Sequence, residues 1–433
     1  MLSTQPYKGT RDFYPQDLRI RNYMFNVWRK CCLKFGYEEY DGPLLEPFEL
    51  FAAKTGEEII NEQLYFFEDK GGRKVAIRPE MTPTVSRMAT QKILNQSPTP
   101  LKWFSIANFY RYEKPQKGRL REFFQLNVDI FGEEGVWADL DLLLLNKAIM
   151  EAFGAKDTMY QIRLNNRFLI NYLFEQVVGV SGEKTKDLAK ALDKRSKLSE
   201  ADFGKVLEKL ELDATQIKNV GKIAKFTIAD VKRLKDLPEG ANDLVNLLEL
   251  AENAGLTNVV YDPLIVRGFD YYDGNVFEQF DLTPGNNRSM FGGGRYNGLI
   301  SLFIEKNVPA VGFAPGDVTM LDFLESWKLL PAFESDTQVL VTLFPESKEC
   351  ANKSMEAAQE LRQWINVETF LNPNEDLTKQ IKYADRKGIP YVLILGPEEL
   401  KKGTFTLKNL KTGVQKEYKS LSDLRPGLGQ AFS

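Results

Sequence analysis

Histidine is absent from this chain of 433 residues. A Ser-His-Asp triad, a histidine-ligated zinc site and an imidazole general base are therefore excluded. Any catalysis must rest on carboxylates, cationic side chains, backbone dipoles or a hard metal ion held by oxygen ligands.

Cysteines and long apolar runs are also scarce. Cys31, Cys32 and Cys350 are too few and too scattered for a disulfide framework, and Cys31 falls in a helical pattern that favours a buried apolar role. No run reaches the roughly 18 apolar residues that a membrane span needs. The first residues show neither a secretory nor a transit pattern, so we expect a cytoplasmic protein that does not enter a membrane.

The net charge of −3 provides no overall positive field for nucleic acid. The distribution is less even, because residues 184–235 contain 14 Lys and Arg against 8 Asp and Glu. This helical segment can dock a phosphate backbone, and it can equally be a solvated helix surface.

Residues 109–132 carry the most informative pattern in the sequence. An apolar, strand-like start is followed by a loop rich in Lys, Gly and Pro and then by a second alternating run, which predicts an antiparallel hairpin. The alternation places five polar side chains on matching faces, namely Arg111, Glu113, Gln125, Asn127 and Asp129. Because buried charges and amides need partners, these faces are too polar for a core. They indicate either the floor of a site for a charged, polar ligand or a solvated sheet face with surface ion pairs.

The order of the patterns predicts the fold class. Strand patterns followed by a long apolar helix, without regular alternation, indicate an α+β fold with an antiparallel core. Within it, residues 16–35 have helical spacing and residues 37–45 read as one strand. Lys/Leu/Glu-rich helical spacing from residue 166 to 255 predicts a helical insertion. After a linker, alternating strand and helix patterns over residues 336–433 predict a small βαβαβ domain.

Neither a P-loop nor a dinucleotide-binding fingerprint is present. The glycine-rich stretch GGGRYNG (residues 292–298) permits close approach of the backbone to a ligand, although a tight turn explains it equally well.

Several segments, taken together, resemble a known family. Residues 109–132 closely resemble motif 2 of class II aminoacyl-tRNA synthetases, and RPEMT (residues 78–82) resembles their amino-acid-binding loop. GTRDFYP (residues 9–15) and PLLEP (residues 43–47) are similar to the N-terminal strand and motif 1 region of that class. RGFDYY (residues 267–272) and GGGRY (residues 292–296) resemble the two signatures of the histidyl-tRNA synthetase family. The segments follow the family's order, and the resemblance spans essentially the whole chain.

The resemblance implies an enzyme that activates L-histidine with ATP to histidyl-adenylate, releases pyrophosphate and transfers histidine to the 3′ end of tRNA-His. It implies an antiparallel sheet of six to seven strands flanked by helices, in a catalytic domain of residues 1–165 and 256–332. Residues 166–255 would be a helical insertion and residues 336–433 an anticodon-binding α/β domain. A homodimer formed through motif 1 and Mg²⁺ accompanying ATP are also implied, with no side chain assigned as a metal ligand.

For ATP, the resemblance implies that Arg111 and Arg267 hold the α-phosphate from two sides, as the catalytic pair. Arginine suits this role because its guanidinium is always charged and can bind phosphate through two N–H groups. Glu113 and Phe123 match the family's adenine contacts, and Arg119 falls in the loop that contacts the distal phosphates.

For histidine, the resemblance implies that Glu80, Thr82 and Gln125 hold the α-ammonium group. Asp129 and Tyr272 match the positions that contact the imidazole ring, and Tyr271 and Arg267 belong to the same histidine-binding set. A carboxylate and a phenol can hydrogen-bond both ring nitrogens, which penalises an amino acid of the wrong shape. The alternative role for each of these side chains is an internal ion pair or a helix cap.

One position departs from the family's pattern. Motif 3 normally ends with an arginine that binds the γ-phosphate, but in the matching segment VGFAPGDVTM (residues 311–320) Thr319 takes that place in the ATP site. The missing guanidinium would remove a charge-assisted contact worth about 1.5–3 kcal/mol. Either another cation such as Arg119 or the magnesium ion carries this role, or the use of ATP is weakened.

Two alternatives belong to a different functional class. A non-catalytic paralogue could serve as a regulatory subunit in histidine biosynthesis, or a synthetase-like domain could act as a tRNA sensor. The first typically lacks the C-terminal domain and parts of the histidine signatures, and the second would be expected to have degenerate arginines. This chain keeps the C-terminal domain, the histidine signatures and the arginines of motif 2 and of the Arg267 segment, so the active enzyme is the expected function.

Overall fold

The computed structural model describes residues 2–53, 59–193, 195, 198–266, 271–286, 289–344, 347–372, 375–424 and 428. The chain divides into two compact units, Met1–Leu330 and Pro331–Ser433. Within the described residues, no helix is both long and apolar enough to cross a membrane.

The chain begins with helix α1, Pro15–Lys34, which buries Met24, Trp28 and both adjacent cysteines. Proline at its first position suits a helix start, because proline has no N–H group to leave unpaired. The single strand predicted for residues 37–45 is wrong. The chain instead forms two short strands in different sheets, β1 (Glu38–Glu39) and β2 (Leu45–Pro47), and the residues between them are not in strand conformation.

The first unit contains further strands and helices. The strands are β3 (Phe66–Glu68), β4 (Lys74–Ile77), β5 (Leu101–Tyr110), β6 (Glu122–Phe131), β7 (Tyr160–Asn166), β8 (Val259–Tyr261), β9 (Asn275–Asp281), β10 (Ser289–Arg295) and β11 (Ala310–Phe313). The helices are α2 (Phe48–Ala52), α3 (Thr82–Leu94), α4 (Val136–Ala152), α5 (Arg167–Leu173), α6 (Glu183–Asp193), α7 (Glu200–Lys209), α8 (Ala214–Ile223), α9 (Ile228–Val231), α10 (Asn242–Asn253) and α11 (Asp317–Ser326).

Over the described residues, the large sheet has eight strands in the order β1-β5-β6-β11-β10-β9-β7-β8. Its centre is antiparallel, whereas β1 pairs parallel to β5 and β8 pairs parallel to β7. The predicted sheet of six to seven antiparallel strands is therefore corrected to eight mixed strands. The two parallel strands are short edge strands of two and three residues, too short for a periodic signal. A smaller sheet in the same unit has the order β2-β4-β3.

The predicted hairpin is present as β5 and β6, which pair antiparallel from Leu101 opposite Phe131 to Tyr110 opposite Glu122. The prediction that Arg111 and Glu113 alternate along the first strand is wrong, because β5 ends at Tyr110 and both residues follow it in the loop. Along β6, Leu126 and Val128 point into the core formed with α1 and α4. The intervening residues face the other way, as strand alternation requires. This second face carries the candidate site. Between β7 and β8 the elements of the described residues, from α5 to α10, are all helices, in the region predicted as an insertion.

The second unit contains β12 (Val339–Val341), α12 (Lys348–Leu361), β13 (Val367–Thr369), α13 (Leu377–Arg386), β14 (Tyr391–Ile394), α14 (Pro397–Lys402), β15 (Phe405–Asn409) and β16 (Gln415–Tyr418). The described strands form a sheet in the order β13-β12-β14-β15-β16. The first three strands are parallel, as a βαβαβ unit requires. The sequence interpretation missed the antiparallel pair β15 and β16, which extends this sheet at one edge.

Candidate active site

A cavity of about 1020 Å³ lies on the polar face of the large sheet. The β6 residues Phe123, Gln125, Asn127 and Asp129 all line it. At about 3.3 Å per residue, these four alternate side chains extend over roughly 20 Å. The polar face of the hairpin therefore forms the wall of a cavity, and the alternative of a plain solvated sheet face does not hold.

One end of this cavity, which we call the arginine end, contains Arg111, Glu113, Arg119, Phe123 and Thr319. Arg111 donates from Nε to the Pro79 carbonyl at 2.9 Å, and its guanidinium carbon lies 5.2 Å from the centre of the Phe123 ring. Arg119 lies 3.3 Å from the Glu113 carboxylate, with about half of its side chain exposed. The arrangement can surround a polyanion with mobile cationic groups and offers one aromatic face for stacking.

Thr319 lies in the first turn of α11 and also lines the cavity. Its hydroxyl donates to the Met290 carbonyl at 2.8 Å and lies 3.3 Å from the Gly316 carbonyl. A neighbouring residue, Asp317, fixes this helix start, because its carboxylate accepts from Arg11 at 2.7 Å and from the Phe124 N–H at 2.9 Å. The helix start is thus held rigidly, but position 319 contributes no positive charge.

The other end, which we call the tyrosine end, contains Glu80, Thr82, Asp129, Tyr271, Tyr272 and Tyr296. Tyr271 donates its phenol to Glu80 at 2.8 Å and is also hydrogen-bonded by Thr82. Tyr296 donates to Asp129 at 2.5 Å. All but Thr82 in this set are more than nine-tenths buried. Each of the two carboxylates therefore lines the cavity and accepts a hydrogen bond from a buried phenol.

Burial governs protonation at the tyrosine end. Desolvation raises the pKa of Asp129 to about 7, although the hydrogen bond from Tyr296 acts in the opposite direction. Burial also raises the pKa of both Tyr271 and Tyr296, and the neighbouring carboxylates add to the effect. The phenols consequently remain hydrogen-bond donors at neutral pH. Such a site can hold an ammonium group and the polar nitrogens of a small ring.

The three consecutive glycines and Arg295 of the glycine-rich stretch belong to strand β10, whereas Asn297 and Gly298 form a turn after it. A Cβ on Gly293 would lie 2.3 Å from the Gly312 carbonyl, and a Cβ on Gly312 would lie 2.3 Å from the Asp129 carboxylate. Both glycines are required because β10 and β11 pass so close to each other and to Asp129. The glycines therefore let the strands approach each other beneath the site.

Tyr296 is a site residue that the sequence interpretation missed, although it belongs to the GGGRY segment. Its pairing with Asp129 joins residues 167 positions apart. The only signal for it was its place directly after the glycines and Arg295. Arg267, the predicted partner of Arg111, lies outside the described residues.

Comparison with known proteins identifies the family and the fold. A family model described as histidyl-tRNA synthetase matches residues 9–316, and one described as an anticodon-binding domain matches residues 338–428. The chain is 43% identical over 415 residues to a histidine–tRNA ligase of Leptospira biflexa, with 94% of each protein covered. It is 38% identical to the protein of the same name from Opitutus terrae, with 95% of each covered.

Solved structures show the same fold. The histidyl-tRNA synthetase from Nostoc superimposes with a TM-score of 0.82 over the full length of both chains, at 23% identity. A Bacillus halodurans protein described as an ATP phosphoribosyltransferase regulatory subunit/histidyl-tRNA synthetase gives 0.72 at 21% identity, covering 88% of this chain and 97% of that one. The family match places the chain among the class II aminoacyl-tRNA synthetases. Within that class, this chain belongs to the histidyl-tRNA synthetase family.

Proposed function

We propose that this chain is an active histidine–tRNA ligase, which joins L-histidine to ATP as histidyl-adenylate and then transfers histidine to tRNA-His. The observation that carries the proposal is the union of the arginine end and the tyrosine end in one cavity along β6. A polyanion and a small zwitterion bound at the two ends would meet beside Gln125, where the histidine carboxylate can approach the α-phosphorus.

In the reaction, a carboxylate oxygen of histidine attacks the α-phosphorus and pyrophosphate leaves. Negative charge builds up on the phosphoryl oxygens, and positioned cations lower the barrier. We assign this stabilisation to Arg111 together with Arg267. Phe123 would stack on the adenine, Glu113 would accept from its amino group, and Arg119 would contact the distal phosphates.

At the tyrosine end, Glu80, Thr82 and Gln125 would hold the α-ammonium group of histidine. Asp129 and Tyr272 would contact the imidazole ring, with Tyr271 and Arg267 completing the histidine-binding set. Asp129 would be a fixed acceptor for a ring N–H. If an amino acid without that nitrogen were bound, the buried carboxylate would be left unpaired, and this energetic penalty gives specificity for histidine.

Mg²⁺ fits this cavity only as an ion brought in with the nucleotide. Among the described residues, no group of three or more acidic or cysteine side chains could hold a metal. Mg²⁺ usually needs just one or two carboxylates when phosphate oxygens complete its shell. It would neutralise phosphate charge, and every other role falls to the protein's own side chains.

The tRNA would contact two further regions. The first is the domain of residues 336–433, which matches an anticodon-binding model over residues 338–428. The second is the set of Lys- and Arg-rich helices in the 166–255 insertion. Phosphate-backbone binding by the insertion predicts that the affinity for tRNA falls steeply with added salt.

We also propose a homodimer. Leu45, in the motif 1 region, and Phe67 lie on the same face of the small sheet on either side of β4, and each is roughly half exposed. Exposed apolar side chains that share one face of a sheet mark a candidate interface. Sedimentation of Leu45→Asp/Phe67→Asp should give a monomer, whereas Leu371→Asp, on the other unit and 80% exposed, should not change the state of assembly.

The decisive test is histidine-dependent exchange of pyrophosphate into ATP by the purified protein. Exchange should be present in the wild type and lost in Arg111→Ala and Arg267→Ala. Histidine binding without exchange would refute the enzyme and favour the non-catalytic regulatory subunit, whose fold is shared with the Bacillus halodurans structure.

A further inference from the structure

A buried polar network lies behind the wall of the tyrosine end, outside the cavity. Arg295 precedes Tyr296 in sequence and points to the opposite side of the sheet, as strand alternation requires. Its guanidinium donates to Asp139 at 2.8 and 2.5 Å and to the carbonyls of Glu133 and Gly135 at 3.0 and 2.5 Å. Helix α4 and the loop before it therefore anchor the end of β10.

The network continues towards the helical insertion. Asn275 donates to Asp139 at 3.3 Å, and Asn166 donates to Asn275 at 2.8 Å. Asn166 also caps α5, since its side-chain oxygen accepts from the N–H groups of Phe168 and Leu169. The side chain that begins the helical insertion is thus linked through two residues to Arg295.

Stability alone does not account for such a network. Arg295 and Asp139 are each about 4% exposed, and replacing a buried ion pair with apolar groups is often neutral or stabilising. A buried ion pair does impose one geometry, because few arrangements satisfy all of its hydrogen bonds. Here the ion pair can fix the position of the adjacent residue, Tyr296. Its phenol must reach across β11 to Asp129, so its position is critical.

We propose that Asp139, Arg295, Asn275 and Asn166 are positioning residues that hold Tyr296, and through it Asp129, in place for the amino-acid side chain. The network also ties that placement to the first helix of the insertion. The inference rests on the proposed histidine-activating function. It assigns a role in substrate selection to four residues that do not line the cavity.

The test is pyrophosphate exchange by Asp139→Asn, in which Arg295 keeps its two backbone carbonyl partners. A small displacement of Tyr296 and Asp129 should raise KM for histidine about 10- to 100-fold. KM for ATP should stay within about twofold, because the arginine end does not touch the network. The matched control is Asp157→Asn, which breaks an ion pair at 2.9 Å with Lys147. Lys147 lies on α4, as Asp139 does, and both KM values of this variant should equal those of the wild type.

A double-mutant cycle separates positioning from general destabilisation. If Asp139 acts through Tyr296, Asp139→Asn should add almost nothing to KM for histidine in a Tyr296→Phe background. Additive effects, or equal increases in both KM values, would overturn the proposal. Asn275→Ala is a milder variant that can be used if Asp139→Asn does not fold. It removes the link to Asn166 and should raise KM for histidine about threefold or more.

If Asn275→Ala had the same KM for histidine as the wild-type enzyme, the link to the insertion would be overturned. If the wild-type enzyme itself catalysed no exchange, the proposed function would be refuted instead.

Discussion

The two ends of the cavity are built on opposite principles. At the tyrosine end, Glu80 and Asp129 are about 5% exposed and each accepts a hydrogen bond from a buried phenol. At the arginine end, Arg119 is half exposed, and its contact with Glu113 is 3.3 Å long. One end is therefore buried and hydrogen-bonded, and the other is partly exposed to solvent.

The difference follows from what each end has to recognise. A small ring offers only a few polar atoms, so selectivity requires donors and acceptors that cannot adjust to a wrong partner. A triphosphate carries several charges, and long cationic side chains can bind it without a single fixed geometry. We therefore expect substitutions at the tyrosine end to be costly and selective, and substitution of the half-exposed Arg119 at the arginine end to be milder than loss of the catalytic Arg111.

The largest expected effect is on the pH dependence of stability. The gap between the ordinary pKa of 3.8 and the value of about 7 for Asp129 corresponds to up to about 4 kcal/mol. Between these two pKa values the folded state binds more protons than the unfolded state, so this contribution to stability is lost as the pH rises from about 4 to about 7. In Asp129→Asn, which does not titrate, the loss should be absent.

Urea unfolding of the ligand-free protein at several pH values measures this difference. Asp157→Asn, whose side chain is partly exposed, should follow the wild-type pH dependence. Parallel pH curves for wild type and Asp129→Asn would mean that the carboxyl is not desolvated in solution.

The next effect concerns Glu80, whose charge would hold the α-ammonium group. Glu80→Gln removes a charged hydrogen bond worth about 1.5–3 kcal/mol, so kcat/KM for histidine should fall about 10- to 150-fold. KM for ATP should change little. Steady-state exchange at saturating ATP provides the measurement.

Glu122→Gln is the matched control for this variant. Glu122, at the start of β6, also accepts from a tyrosine, Tyr110, at 2.7 Å. It is not among the cavity-lining residues. If the two variants lost the same activity, the loss at Glu80 would reflect damage to the fold rather than to the site.

The smallest expected effect is at the arginine end. Arg119→Ala should raise KM for ATP about three- to tenfold, with KM for histidine unchanged, because exposed charges are partly screened by solvent. Thr319→Arg should reduce this effect, since it supplies a second cation near the distal phosphates. An Arg119→Ala effect of the same size with and without arginine at position 319 would show that the two positions do not share a role.

Local features of this molecule could be predicted from the sequence. Helix α1 and the β5–β6 hairpin were predicted within a few residues, because their periodic patterns lie within short segments. The polar face of the hairpin was predictable for the same reason. The parallel edge strands were not, since strands of two or three residues leave no pattern to detect. The pairing of Tyr271 with Glu80, 191 positions apart, had no local signal either.

The composition alone determined which chemistry is possible. A chain without histidine cannot use an imidazole base, and threonine at position 319 removes a cation whatever the fold. Only the tertiary structure decided which carboxylate meets which phenol, why the glycines of β10 are needed, and how far the pKa of Asp129 rises. The physical reason is that desolvation and hydrogen bonding depend on neighbours in space, and here those neighbours come from distant parts of the sequence.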